Sequence, residues 1–115
     1  MAEDLETWLL DVGDEIIVKR GAADAAGSTP LSEAEQAVYC MWVIDYAVRN
    51  SGTLDPAEEL HPRALFELTT LARTNHLSVL SEWLAGALDE EKFCDDYYDH
   101  FDAVCGELQL FYERL

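Results

Sequence analysis

Between Val38 and Val48 the only charged side chain is Asp45. A helix that is apolar nearly all round has no face for water and sits at the centre of a bundle. This stretch therefore commits the chain to an all-α packing in which other helices surround it. Just upstream, Ser32-Glu33-Ala34-Glu35 has the form of a capping box, which opens the helix at Ser32. Asn50-Ser51-Gly52 tolerates a left-handed stop and places the end near Arg49. Asp45 and Arg49, four apart, read as an intrahelical pair at the core margin. The other reading turns Asp45 toward a partner.

Other helices follow from the same periodicity. Leu5, Trp8, Leu9, Val12 and Ile16 recur at three and four residues, predicting a helix over Glu3–Arg20 closed by Gly21. The small-residue stretch from Gly21 to Pro30 reads as a linker. Asp55-Pro56 reads as an N-cap followed by proline at the first helical position, and His61-Pro62 soon ends that short helix. Pro62 can begin another, with Leu65, Leu68, Leu71 and Ala72 on its inner face, and Ser78 caps a fifth carrying Leu80, Trp83 and Leu84. From about Asp89 to Leu115, Cys94, Phe101, Leu108 and Leu115 repeat every seven residues, with Tyr97, Tyr98, Val104, Cys105, Phe111 and Tyr112 between them. That seam predicts one terminal helix of roughly 39 Å. Residues 1–115 thus form a single domain, a compact bundle of five to six helices with a long C-terminal helix.

Charge bears most directly on function. Twenty-four Asp and Glu stand against seven Lys and Arg, for a net −17. A small soluble domain is comfortable at a magnitude of roughly 2 to 8. Excess like charge opposes compaction and disfavours direct contact with nucleic acid or an anionic membrane, so the natural complement is a basic protein. On the terminal helix Asp95, Asp99 and Asp102 share one face, with Asp96 beside them and Glu91 one turn earlier. Their rises of roughly 6 and 4.5 Å are of the order of the phosphate spacing along a DNA strand. Asp11, Asp14 and Glu15 on the first helix extend the acidic surface. These eight residues are the candidate partner-binding set, and the alternative for them is a solvated helix face.

Chemistry has less to build on. A di-iron bundle needs Glu from two helices and Glu-x-x-His from two more, whereas Glu58-x-x-His61 is a single match and Asp96 with His100 a single pair. No metal and no cofactor is expected. Cys40 lies in the apolar helix and reads as a small core residue. Cys94 and Cys105 stand about 16 Å apart on one helix, beyond the ~7 Å that a disulfide spans. His76 reads as a surface or capping residue. There is no phosphate loop and no nucleophile elbow, so no catalytic residue is assigned and no enzyme is expected. Met-Ala-Glu-Asp-Leu-Glu lacks a signal-peptide pattern, and no segment approaches the ~18 apolar residues of a membrane span. Reduced thiols in a cytoplasm are the expectation.

At Val38-Tyr39 and Tyr46-Ala47-Val48-Arg49-Asn50-Ser51-Gly52 the chain resembles a bacterial helical family of largely unassigned function that includes an acidic DNA-mimic protein. The family places Asn-Gly-Gly-Phe and then a Gln-Tyr-Phe run after a helix end. Here Ser51 replaces one glycine, Thr53 stands where Phe is expected, and the Gln-Tyr-Phe run is absent. The resemblance implies a helical fold and favours the DNA-mimic reading, and carries over no site residue. The expectation is an acidic binding protein that occupies a basic, nucleic-acid-binding site on a partner, as a DNA mimic, an immunity protein or a phage-type inhibitor does. The alternatives are a homo-oligomer, down to a homodimer through the aromatic seam, whose acidity serves solubility as in a halophile, and a carboxylate/His metal bundle.

Overall fold

The computed structural model describes residues 4–26 and 31–113. At its centre lies the helix that opens at Ser32. Ser32 Oγ accepts the Glu35 amide at 3.2 Å while Glu35 Oε1 accepts the Ser32 amide at 3.0 Å, completing the capping box. The helix, α2 (Glu33–Ser51), buries Val38, Met41, Val43, Ile44, Ala47 and Val48. It ends where Gly52 turns left-handed at φ 71° and its N–H bonds Val48 O at 2.8 Å, a geometry that glycine adopts without a Cβ penalty. Around it stand α1 (Leu5–Ala26), α3 (Asp55–Leu60), α4 (Ala64–Thr74) and α7 (Tyr97–Glu113). Helix α5 (Ser78–Ala85), a 3-10 turn at Gly86–Leu88, and α6 (Glu90–Asp95) close the far side against α4 and α7. Among the described residues there is no strand, and seven α-helices stand where five to six were expected.

Several boundaries differ from expectation, each for a local reason. Helix α1 passes through Gly21 to Ala26. One glycine costs a helix about 1 kcal/mol, and the alanines after it are the best helix formers. The rest of the expected linker, residues 27–30, lies outside the described residues, as does Leu115 of the heptad seam. Leu54, not Asp55, is the residue before α3, and α4 begins at Ala64 rather than Pro62.

The terminal helix is divided. Asp96 ends α6 with φ −89° and ψ 1°, and α7 starts one residue later. Aspartate competes with the helical backbone for its own hydrogen bonds, and four neighbouring carboxylates repel along a continuous helix. The break lets α6 fold against α5, where the Phe93 ring stacks on Trp83 with centroids 4.6 Å apart. The seam itself packs inward as its spacing predicts: Cys94, Tyr97, Phe101, Val104, Cys105, Leu108 and Phe111 are buried, whereas Tyr98 is exposed.

Asp45, 2% exposed, is the only buried charged residue described. Tyr97 Oη donates to its Oδ1 at 2.5 Å, and Arg49 Nε donates to the same oxygen at 2.8 Å. Arg49 continues outward to Glu6 at 3.4 Å, with its guanidinium over the Tyr98 and Phe101 rings at 5.0 and 4.8 Å. One carboxylate therefore ties α2 to α7, and its arginine ties both to α1. The reading of Asp45 and Arg49 as an intrahelical pair holds. Burial opposes the Arg49 charge, but the bond to Asp45 and its negative charge, with Glu6 behind, leave the guanidinium holding its proton above the usual range. Burial, then the Asp45 charge, push both the Tyr97 phenol and the Cys105 thiol up.

Helix α1 approaches α2 at Gly13. A Cβ there would stand 2.5 Å from Trp42 Cδ1, in the indole that stacks on Tyr46. The Lys19 ammonium meets Glu35 Oε2 at 2.6 Å farther along the same contact.

Three stability measurements check this account. Tyr97→Phe should cost about 1.5–3 kcal/mol in urea unfolding, the value of a hydrogen bond to a charged group. Because the folded state holds the Tyr97 and Cys105 protons more tightly than the unfolded chain does, their contribution is complete below the ordinary values of ~8.5 for thiol and ~10 for phenol. It is lost as pH rises above them, and Tyr97→Phe should flatten the loss above about pH 10. Gly13→Ala should destabilise by about 1–3 kcal/mol through overpacking on Trp42, although alanine is the better helix former.

Candidate functional site

The acidic candidates fall on three elements. Glu91 and Asp95 are exposed on α6; Asp99 and Asp102 are exposed on α7; Asp11, Asp14 and Glu15 are exposed on α1. Asp96, at the break, is half-buried. The break means that Asp95, Asp99 and Asp102 do not continue one regular helical ladder. Helix α1 nevertheless lies beside α7, where Trp8 meets Tyr112 edge-on with centroids 6.1 Å apart. The field of these groups is felt by their neighbours. The Cys94 thiol is pushed up by burial and then by the charges of Glu90 and Asp95. The Tyr112 phenol is raised by burial, Glu35 and Glu15, against the pull of Lys19.

The placement of the cations sharpens this surface. Lys19 is taken up by Glu35, and Arg49 by Asp45 and Glu6. Arg63 and Arg73 are exposed at the two ends of α4, with Arg63 over the Phe66 ring at 4.9 Å. Along residues 89–113 Lys92 is the sole Lys or Arg, against exposed Asp89, Glu90, Glu91, Asp95, Asp99, Asp102 and Glu113. Carboxylates also stand exposed at Asp55, Glu58 and Glu59 on α3, so acidity is general, and α6 and α7 together carry the longest run of it, with Lys92 the one Lys or Arg among their described residues.

Beside that surface runs a groove of about 470 Å³ between α5 and the α6–α7 pair. Trp83, Phe93, Val79 and Val104 give it an apolar lining, and Glu82, Asp89, Asp96, Lys92 and His100 a polar one. The buried Trp83 indole N–H has no hydrogen-bond partner among the described atoms. The α5 wall is held by Glu107 of α7, whose two carboxylate oxygens accept the Val79 and Leu80 amides at 3.1 and 2.8 Å. Glu107 thus does what Ser78 was expected to do, since α5 follows Leu77 with no side-chain cap from its own sequence. A cap delivered from another helix leaves no local signature.

A second cluster lies where α2 meets α4 and the turn after α3. Pro62 disfavours a helical conformation at His61, which is extended at φ −157° and ends α3. There the His61 ring packs edge-on to Tyr39, and its Nε2 pairs with Glu67 Oε2 on α4. Gln36 Nε2 reaches the same oxygen at 3.3 Å, and the buried Cys40 Sγ stands 3.9 Å from it. Cys40, His61 and Glu67 offer ligand atoms all within 4.8 Å of one another. Sequence reasoning placed Cys40 in the core and looked for a partner to His61 at Glu58, which is exposed; spacings of 21 and 6 residues, across two helices and the turn between α3 and α4, match no short motif. Asp96 and His100, the other metal pair considered, both line the groove.

Comparison with family models, curated proteins and solved structures found no match.

The groove wall can be tested directly. Glu107→Ala should cost about 0.5–2 kcal/mol, the range for losing a helix N-cap, with amide exchange at Val79 and Leu80 rising more than exchange in α2.

Proposed function

We propose that the protein binds a basic partner, of the kind that handles nucleic acid, and blocks its cationic site with the carboxylates of α6 and α7. One observation carries this reading: among the described residues from Asp89 to Glu113 the exposed charge is carboxylate with Lys92 as the sole Lys or Arg, while the exposed arginines described elsewhere, Arg63 and Arg73, flank α4. A surface of one sign speeds encounter with an opposite one and rejects anions, whereas affinity comes from apolar anchors seated away from water. The groove beside Trp83 and Phe93 offers such a seat next to the charge. Helix α1, which packs beside α7, adds exposed Asp11, Asp14 and Glu15, and the charge of Glu15 is felt at Tyr112. The likeness at Tyr46–Gly52 to a family containing a DNA mimic points in the same direction.

Self-association draws less support from the packing. The aromatic seam is spent inside the bundle, and of its rings Tyr98 remains exposed beneath the Arg49 guanidinium.

The test begins with affinity capture from a host lysate at low and high salt, followed by DNA binding by the recovered protein with and without this chain. Under the mimic reading the recovered protein is basic, elutes with salt and releases DNA when the chain is added. The triple change Asp95→Asn, Asp99→Asn, Asp102→Asn should slow its association by about 10-fold or more at low salt. The Trp83 indole N–H resonance should shift on binding if the groove holds the anchor. A complex indifferent to salt and to the triple change overturns the reading. A mass that rises with concentration and no captured partner would place the acidity in the service of an oligomer.

A further inference from the structure

We propose that Cys40, His61 and Glu67 form a binding site for a divalent transition ion of the zinc type. The three ligand atoms come from α2, from the turn after α3 and from α4, and lie within 4.8 Å of one another. Zinc bonds of about 2.3 Å to sulfur and 2.0–2.1 Å to nitrogen or oxygen place neighbouring tetrahedral ligands about 3.3–3.6 Å apart. Cys40 Sγ and Glu67 Oε2, at 3.9 Å, are already close to that separation. The short His61–Glu67 contact must open by about an ångström to reach that tetrahedral separation as the ion enters between them.

The chemistry of the donor set points the same way. Thiolate, imidazole and carboxylate together suit zinc, whereas magnesium and calcium take oxygen ligands alone. A thiolate and a carboxylate balance a divalent charge, so a half-buried site carries no net charge once filled. Binding exchanges the Cys40 thiol proton for the metal and releases it to solvent. Three protein ligands leave a fourth position, which water can occupy, or the Gln36 amide oxygen if that side chain, whose nitrogen now stands 3.3 Å from Glu67 Oε2 and 3.8 Å from the Cys40 sulfur, turns over. Access is from the His61 and Glu67 side, where the side chains are 16% and 28% exposed. A fully buried sulfur behind them is open to a small ion and closed to a bulky substrate, which favours a metal over nucleophilic attack by Cys40. The filled site would pin the α3–α4 corner to the central helix.

With net charge −17, weak cation binding at the surface is general, so the test must read sulfur ligation. Reduced, chelator-treated protein is titrated with Co2+ while absorbance is recorded. The expected result is one equivalent giving a near-ultraviolet sulfur-to-cobalt charge-transfer band with intense tetrahedral bands in the visible, both bleached by Zn2+. Cys40→Ser should abolish the charge-transfer band. His61→Ala and Glu67→Gln should weaken binding by at least the ~10–100-fold that losing even an outer-shell partner costs. Circular dichroism checks that each variant is folded, and His61→Ala serves if Cys40→Ser is not. Weak, octahedral-type bands in the folded wild-type protein, or a charge-transfer band undiminished in Cys40→Ser or His61→Ala, overturns the site.

Discussion

A carboxylate sealed into an apolar core needs its charge met at close range, and Asp45 has that from Arg49 and Tyr97 together. Removing the ionic partner, Arg49, from such a group costs about 3–5 kcal/mol, because the charge left behind has no water to turn to. The arrangement is directional as well as strong. Tyr97 can reach Asp45 only if α7 begins where it does, and Arg49 can reach Glu6 only if α1 lies across the same end of α2. Apolar packing alone tolerates sliding between helices. A shared oxygen atom does not, and the bundle's alignment follows from it.

The parts of the fold readable beforehand were those written in neighbouring residues. The capping box at Ser32 and Glu35, the left-handed stop at Gly52, and the inward seam through Tyr97, Phe101, Val104 and Leu108 depend on spacings within one helix. What escaped depends on distant partners. Periodicity carried the helix straight through Asp96, since nothing in a heptad count registers a break there or the stack of Phe93 on Trp83. The glycine at position 21 looked like a stop because its helical cost is local, whereas the alanines that outweigh it act over the following turn. Gly13 carried no signal either, because its role is set by an indole on another helix.

The two candidate sites divide along the same line. Exposed charge is a compositional property, so the carboxylates of α1, α6 and α7 could be named from the sequence, although their relation to a groove could not. The cluster of Cys40, His61 and Glu67 exists only because Pro62 straightens the chain at His61 and α4 then brings Glu67 back beside α2. Each residue alone reads as ordinary: a core cysteine, a histidine at a break, an acid in a helix's first turn.

The few cations also divide the charges into two populations. Lys19 and Arg49 are paired with the bundle's own acids, and the half-buried Arg49 guanidinium lies over aromatic rings, where dissolved ions penetrate little. The outer carboxylates stand in water with scant counter-charge nearby. Dissolved salt, with a Debye length of about 8 Å at physiological strength, therefore damps the repulsion on the outside far more than the attraction within. For this molecule ionic strength acts as a structural support, and the surface that would be most weakened as a binding face in brine is the one whose presence there strains the fold least.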